Sequence, residues 1–201
     1  MHATDRKQTF TEAARRAQIL QATIATVNEI GYHRASLAEI ADHAGVAKSA
    51  IVYYFGSKEN LLMQVLDHTF TALGDVVVAA VAAESTPDGR LRAYAQSYLS
   101  HVDAHRAEVA AAVTILLSHR ASDGTPLYLK VDDDDTALLR SILSAGMDDG
   151  EFRRMSLADA VQIAESLLDL AITAVQRDLQ ADLATLTPEI VRFLFSGLTE
   201  P

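Results

Sequence analysis

Apolar positions recur every three or four residues over most of this chain, the period of an amphipathic helix rather than of a strand. Leu20, Ile24, Val27 and Ile30 form one such stripe in a helix expected over 13–30, and Gly31 follows where a C-cap is wanted. Ser36 and Glu39 have the spacing of a capping box, in which hydroxyl and carboxylate satisfy each other's backbone donors. The short helix they open carries Leu37, Ile40, Ala41 and Ala44 on one face. Gly45-Val46-Ala47 makes a turn, and a second short helix is expected from Lys48 to Phe55, with Ile51 and Phe55 one turn apart and facing inward. Ser57 then caps a long helix that carries Leu62, Val65, Leu66, Phe70 and Leu73 and reaches Glu84.

Pro87-Asp88-Gly89 is the clearest break in the chain. Beyond it the pattern predicts helices over 89–104, 106–119, 127–149, 157–180 and 188–198. Their punctuation is Gly124-Thr-Pro126, Gly146 to Gly150, and Thr187-Pro188-Glu189, read as a threonine N-cap with proline at the first helical position. No stretch alternates as a strand does, and no internal repeat is visible. The expected fold is all-α, with a small N-terminal three-helix domain over 1–60 and a larger helical bundle over 61–201. In the last two helices the apolar residues cover more than one stripe: Leu157, Val161, Leu168, Ile172 and Val175 in one, Ile190, Phe193, Leu194, Phe195 and Leu198 in the other. That excess fits either a second subunit packed against them or a position at the centre of the core.

Composition narrows the class. With 49% hydrophobic and 22% charged residues among 201, the chain has the makeup of a folded globular protein and can bury a sizeable core. There is no cysteine, which excludes disulfides, thiolate metal sites and cysteine nucleophiles. The start, MHATDRKQTFTEAARR, lacks the apolar stretch of a signal peptide, and the longest apolar runs, Val76 to Ala83 and Val109 to Leu117, fall short of the ~18 residues that cross a bilayer. A cytoplasmic protein without a membrane partner is expected.

Charge divides the chain more sharply than its net of -10 conveys. Residues 1–60 hold seven basic residues (Arg6, Lys7, Arg15, Arg16, Arg34, Lys48, Lys58) and six acidic ones (Asp5, Glu12, Glu29, Glu39, Asp42, Glu59). Taken from totals of 17 and 27, this leaves ten basic against 21 acidic residues in the remainder. A polyanion can approach the first sixty residues and is repelled by most of the rest.

Two short helices joined by a glycine-containing turn make a helix-turn-helix, whose second helix can enter the major groove of DNA. With Ile51 and Phe55 inside, Ser49, Val52 and Tyr53 point outward, flanked by Lys48, Ala50 and Tyr54. Small, polar and aromatic side chains suit base edges and thymine methyls. Lys48 and Lys58 can neutralise phosphates and the Tyr54 hydroxyl can donate to one, contacts that position a protein without reading sequence. The alternative is a tyrosine pair that merely packs at an amphipathic surface.

Residues 16–66 resemble the DNA-binding domain of the tetracycline-repressor (TetR) family of bacterial transcription regulators. The matching pattern is Ile19-Leu20, Gly31-Tyr32, Ser36, Ile40-Ala41, Ala44-Gly45-Val46, Lys48, Ile51, Tyr54-Phe55, Ser57-Lys58-Glu59 and Leu61-Leu62. The resemblance implies a ligand-responsive regulator, usually a repressor, that binds a palindromic double-stranded operator as a homodimer and is released or modulated by a small molecule of unknown identity. It places Ser36, Lys48, Ser49, Ala50, Tyr53, Tyr54 and Lys58 at operator-contacting positions, and assigns the larger domain to ligand binding and to dimerisation through about 157–180 and 188–198. Two residues depart from the family pattern: Ala47 stands where a capping serine or threonine is usual, and Val52 where tyrosine is common. Loss of the cap costs about 1 kcal/mol and predicts a loosened recognition helix without DNA.

The effector site is harder to read. Tyr94, Tyr98, His101 and His105 form one stripe of polar aromatics beside an apolar stripe of Leu91, Ala95 and Val102. Hydroxyls and imidazoles bordering an apolar wall suit an organic-molecule pocket, and they equally suit a partly exposed helix face. Asp169, one turn before Thr173, is a further candidate that could line the dimer interface or reach solvent. His101 and His105 have a spacing that can chelate a metal, but no third ligand is identifiable. The run Asp132 to Asp135 lacks the spaced ligands of a calcium loop and is expected at a helix N-terminus, where the macrodipole favours anions. No metal, cofactor or catalytic arrangement is expected. The competing readings are a helical-bundle small-molecule carrier or enzyme without DNA binding, and a helical protein–protein module.

Overall fold

The computed structural model describes residues 3–130 and 136–199. The helices are α1 (Ala3–Ile30), α2 (Leu37–Ala44), α3 (Lys48–Phe55), α4 (Lys58–Ala82), α5 (Pro87–Ala104), α6 (Arg106–Ser118), α7 (Ala137–Asp149), α8 (Leu157–Arg177) and α9 (Leu183–Thr199). A 3₁₀ turn covers Leu127–Lys130, and the extended pairing among the described residues is one isolated bridge between Arg120 and Pro126. The fold is all-α, as the periodicity predicts.

The chain forms two compact units, one of Met1–Thr69 with Ala110–Tyr128, the other of Phe70–Val109 with Leu129–Pro201. The first unit therefore extends past residue 60 to Thr69 and recruits a separate segment, Ala110–Tyr128, from further along the chain. The boundary falls inside α4, because a helix continues its backbone hydrogen bonds whichever neighbours its side chains find.

In the first unit Ile19 and Ala22 of α1 meet Ile40, Ala41 and Ala44 of α2, Ile51 and Phe55 of α3 and Leu61 of α4 in one buried cluster. Full burial of such aliphatic side chains contributes about 1.5–3 kcal/mol each. Gln18 of α1 donates to the Ala44 carbonyl at 2.7 Å and so satisfies the exposed end of α2. In the second unit α5 packs against α7, α8 and α9. Leu91, Ala95, Leu99 and Val102 of α5 are completely buried. At the end of α7, Gly146 lets the Phe152 ring approach so closely that an added Cβ would lie 2.1 Å from it.

The structure corrects the sequence reading in several places. The capping box at α2 is half formed: the Ser36 hydroxyl accepts from the Glu39 amide at 3.2 Å, but the Ser36 amide donates to the Arg34 carbonyl at 2.7 Å instead of to a carboxylate. The helix expected over 127–149 is a 3₁₀ turn followed by α7 from Ala137, and the Asp132 to Asp135 run lies outside the described residues. Pro188 does not start the last helix but sits inside α9, which begins at Leu183. The Asp182 carboxylate accepts from the Thr185 amide at 3.1 Å and from its hydroxyl at 2.7 Å, and Leu183 is buried. A capped start with an apolar anchor outweighs the backbone bond that proline cannot donate. Finally, α4 is by length and composition apolar enough to cross a membrane, which a search for uninterrupted apolar runs misses. A core helix meets the same condition, and α4 buries Leu61, Leu62, Val65, Leu66, Leu73, Val77 and Val81.

Candidate nucleic-acid interface and effector site

The turn between α2 and α3 is closed by backbone bonds. Gly45 adopts the left-handed conformation (φ 62°, ψ 36°) that carries a steric penalty for other residues, and the Val46 amide reaches back to the Ala41 carbonyl at 3.0 Å. Ala47 follows in extended geometry, and no side chain caps α3. The helix is instead fixed by Ile51 and Phe55, 0% and 4% exposed. That anchoring turns Tyr53 out to 79% exposure and Val52 to 44%. Lys48 and Ser49 are exposed beside them, Ala50 is half-buried, and Ser36 is exposed at the start of α2.

Tyr54 and Lys58 are more constrained than the helical pattern conveys. The Tyr54 ring packs against the buried cluster and meets Tyr53 edge-on, with centroids 5.0 Å apart. The Tyr54 carbonyl accepts from the Arg16 guanidinium, which also donates to Gln64 at 2.6 Å and lies 4.6 Å above the Phe55 ring. Arg16 thus ties the end of α3 to α1 and α4, a staple that sequence reasoning missed although Arg16 stands one turn before the buried Ile19. The Lys58 ammonium donates to the Tyr32 carbonyl at 3.2 Å and lies 5.1 Å from the Tyr32 ring centroid. Partial burial lowers the Lys58 pKa. A lysine that shares one donor in this way keeps two for a phosphate.

Residues 19–65 match the family described as bacterial regulatory proteins, tetR family. The HTH-type transcriptional regulator BetI of Yersinia pestis (strain Pestoides F) is 35% identical over 152 residues, covering 75% of this chain and 73% of that protein. The chain belongs to the TetR family. BetI of Pectobacterium atrosepticum is 33% identical over a similar span, 75% of this chain and 74% of that regulator. The fatty acid degradation regulator FadR from Bacillus halodurans shares the fold at a TM-score of 0.77 with 24% identity, covering 91% of this chain and 95% of that one. As a TetR-family protein the chain is a ligand-responsive transcriptional regulator with a helix-turn-helix for DNA and a helical C-terminal domain.

In this TetR regulator the second unit brings three of the four effector candidates together. Tyr94 and Tyr98 stack nearly parallel along α5, 6.4 Å between centroids and 11° between planes, and the Tyr98 hydroxyl donates to Asp169 of α8 at 2.7 Å. Burial, then the nearby Glu165 and Asp169, pushes the Tyr94 pKa up to about 12. Burial also raises the Tyr98 pKa, well above its usual value, and Asp169 adds to the effect. The Asp169 residue still presents surface to solvent, yet enough protein flanks its carboxylate that desolvation raises its pKa, opposed by the hydrogen bond from Tyr98. Both tyrosines therefore remain protonated donors at neutral pH.

His101 has a different neighbour, His105, on which it stacks at 4.3 Å. It is 8% exposed, and burial followed by the repulsion of His105 lowers its pKa, with Glu108 acting in the opposite sense. No group of three or more metal-binding side chains occurs among the described residues.

Proposed function

We propose that α3 is the recognition helix of an operator-binding homodimer, with Ser49, Ala50 and Tyr53 toward the bases, Lys48, Tyr54 and Lys58 at the phosphates and Ser36 at a further operator contact. The observation that carries this reading is the division of α3: two buried residues hold it while Tyr53, Val52, Ser49 and Lys48 stand clear of the core. Residues 1–60 would then read DNA, and 61–201 would bind the effector and the second subunit. Dimerisation uses α8 and α9, which leave Ile163, Leu170 and Phe193 at 52%, 45% and 66% exposure. Large apolar side chains on adjoining helices favour an isologous contact with a second copy. The Tyr94, Tyr98 and Asp169 cluster, together with His101, is the effector-binding candidate, offering phenol donors and a carboxylate beside apolar helix surface. A regulator of transcription works where the bacterial chromosome is, which places it in the cytoplasm.

Sedimentation velocity and DNA titration test this reading together. The wild-type chain is expected to sediment as a dimer, and log affinity for duplex DNA should fall linearly with log salt. Phe193→Glu should yield monomers with weakened DNA binding. A wild-type chain that stays monomeric and ignores duplex DNA would reject the proposal.

A further inference from the structure

Tyr32 and His119 are 87 positions apart in sequence, yet both belong to the first unit, where the phenol and the imidazole Nδ1 are 2.8 Å apart. The other ring nitrogen, Nε2, faces the Glu59 carboxylate at 3.6 Å. Tyr32 and Nδ1 share one hydrogen bond, whose donor is set by the ring's tautomer, while the Glu59 carboxylate lies beyond hydrogen-bond reach of Nε2 and acts on it through charge alone. The histidine is the fixed end of this chain of contacts. It is 7% exposed, its amide donates to the Ile115 carbonyl at 2.8 Å, and its carbonyl accepts from the Leu127 amide at 3.0 Å. The movable end is Lys58, whose ammonium is tied to the Tyr32 carbonyl and ring. A long lysine stem loses rotamer freedom when its charge is fixed, and here that ordering precedes any encounter with DNA.

We propose that His119 is a positioning residue for DNA binding, acting through Tyr32 to hold the Lys58 ammonium in place for a phosphate. Residues 1–60 then make the DNA contacts with support from the Ala110–Tyr128 segment of the same unit. This rests on the reading of Lys58 as a phosphate contact.

The test is a double-mutant cycle, read with a labelled duplex that the wild-type protein recovers from a random-sequence pool. Lys58→Ala and His119→Leu should each weaken binding of the dimer roughly 20-fold at ~0.2 M salt and make the salt slope shallower by about 1.8, the signature of one lost phosphate contact in each of two protomers. In the Lys58→Ala background His119→Leu should cost nothing more. His119→Gln, whose amide can keep a hydrogen bond with the Tyr32 hydroxyl in either direction, should restore wild-type affinity. Thermal unfolding of each variant separates this effect from instability, and if His119→Leu fails to fold, Tyr32→Phe removes one oxygen and completes the same cycle. Additive losses, or an unchanged salt slope, would overturn the role of His119 and leave the Lys58 contact intact. A Lys58→Ala protein that binds like wild type would remove the contact itself, and the proposal with it.

Discussion

Tyr53 of α3 leaves 79% of its surface open, while Tyr98 of α5 spends its hydroxyl on Asp169 of α8 at 2.7 Å. In α3 the structural and the outward residues are largely different: Ile51 and Phe55 hold the helix, Lys48, Ser49 and Tyr53 stand outside the core, and Tyr54 serves both sides, its ring on the core and against Tyr53. In the second unit the candidate effector residues are also packing residues, since Tyr98 links two helices and His101 is buried against His105. The difference teaches where activity and stability can be separated by substitution. They separate on the outward face of α3 and stay entangled in the bundle.

The comparison is most directly sharpened in the bundle, by closing its tightest approach. Gly146→Ala would drive a methyl group into the Phe152 ring and should cost about 1–3 kcal/mol, measured by urea unfolding. On the other side of the comparison, Ala47→Ser supplies the hydroxyl that α3 lacks and should stabilise that helix by about 1 kcal/mol, read as slower amide exchange over 48–55. Unchanged exchange there would mean that Ile51, Phe55 and the Arg16 contact fix the helix without a cap.

The smallest effect concerns pH. His101 has a lowered pKa in the fold, so the unfolded chain binds the proton more readily, and the stability gained from a neutral buried ring is present above the usual value of 6.5. It is lost as pH falls from there through the lower, folded value. The melting temperature of the wild type should therefore drop more between neutral and mildly acidic pH than that of His101→Gln. Parallel pH curves for the two proteins would place His101 outside this linkage.

Legibility in the sequence follows the same divide. The α2–turn–α3 unit is set by local chemistry, a serine at the first cap, a left-handed glycine and two buried residues one turn apart, and each leaves a mark at fixed spacing. The bundle is set by partners distant in the chain. Pro188 reads as a helix start because proline favours that position, yet Asp182 and buried Leu183 begin α9 earlier. Tyr98 and Asp169 appeared separately as candidates, but nothing in the sequence joins residues 71 positions apart. Tyr54 illustrates a limit within the readable region: helical spacing puts it on a flank, and only the fold reveals that its ring rests on the core and its carbonyl receives Arg16.

That constraint on Tyr54 also selects the best test of the central claim, that the exposed face of α3 binds DNA. Lys48 and Tyr53 stand free of the core, so a Lys48→Ala/Tyr53→Ala double variant leaves the buried packing in place and removes only the edge-on contact of Tyr53 with Tyr54. Its affinity for the duplex selected by the wild-type protein should fall at least about tenfold, with the salt slope shallower by about 1.8 for one Lys48 contact in each protomer, while melting temperature and oligomeric state stay at wild-type values. Wild-type affinity and slope in this variant would contradict the account.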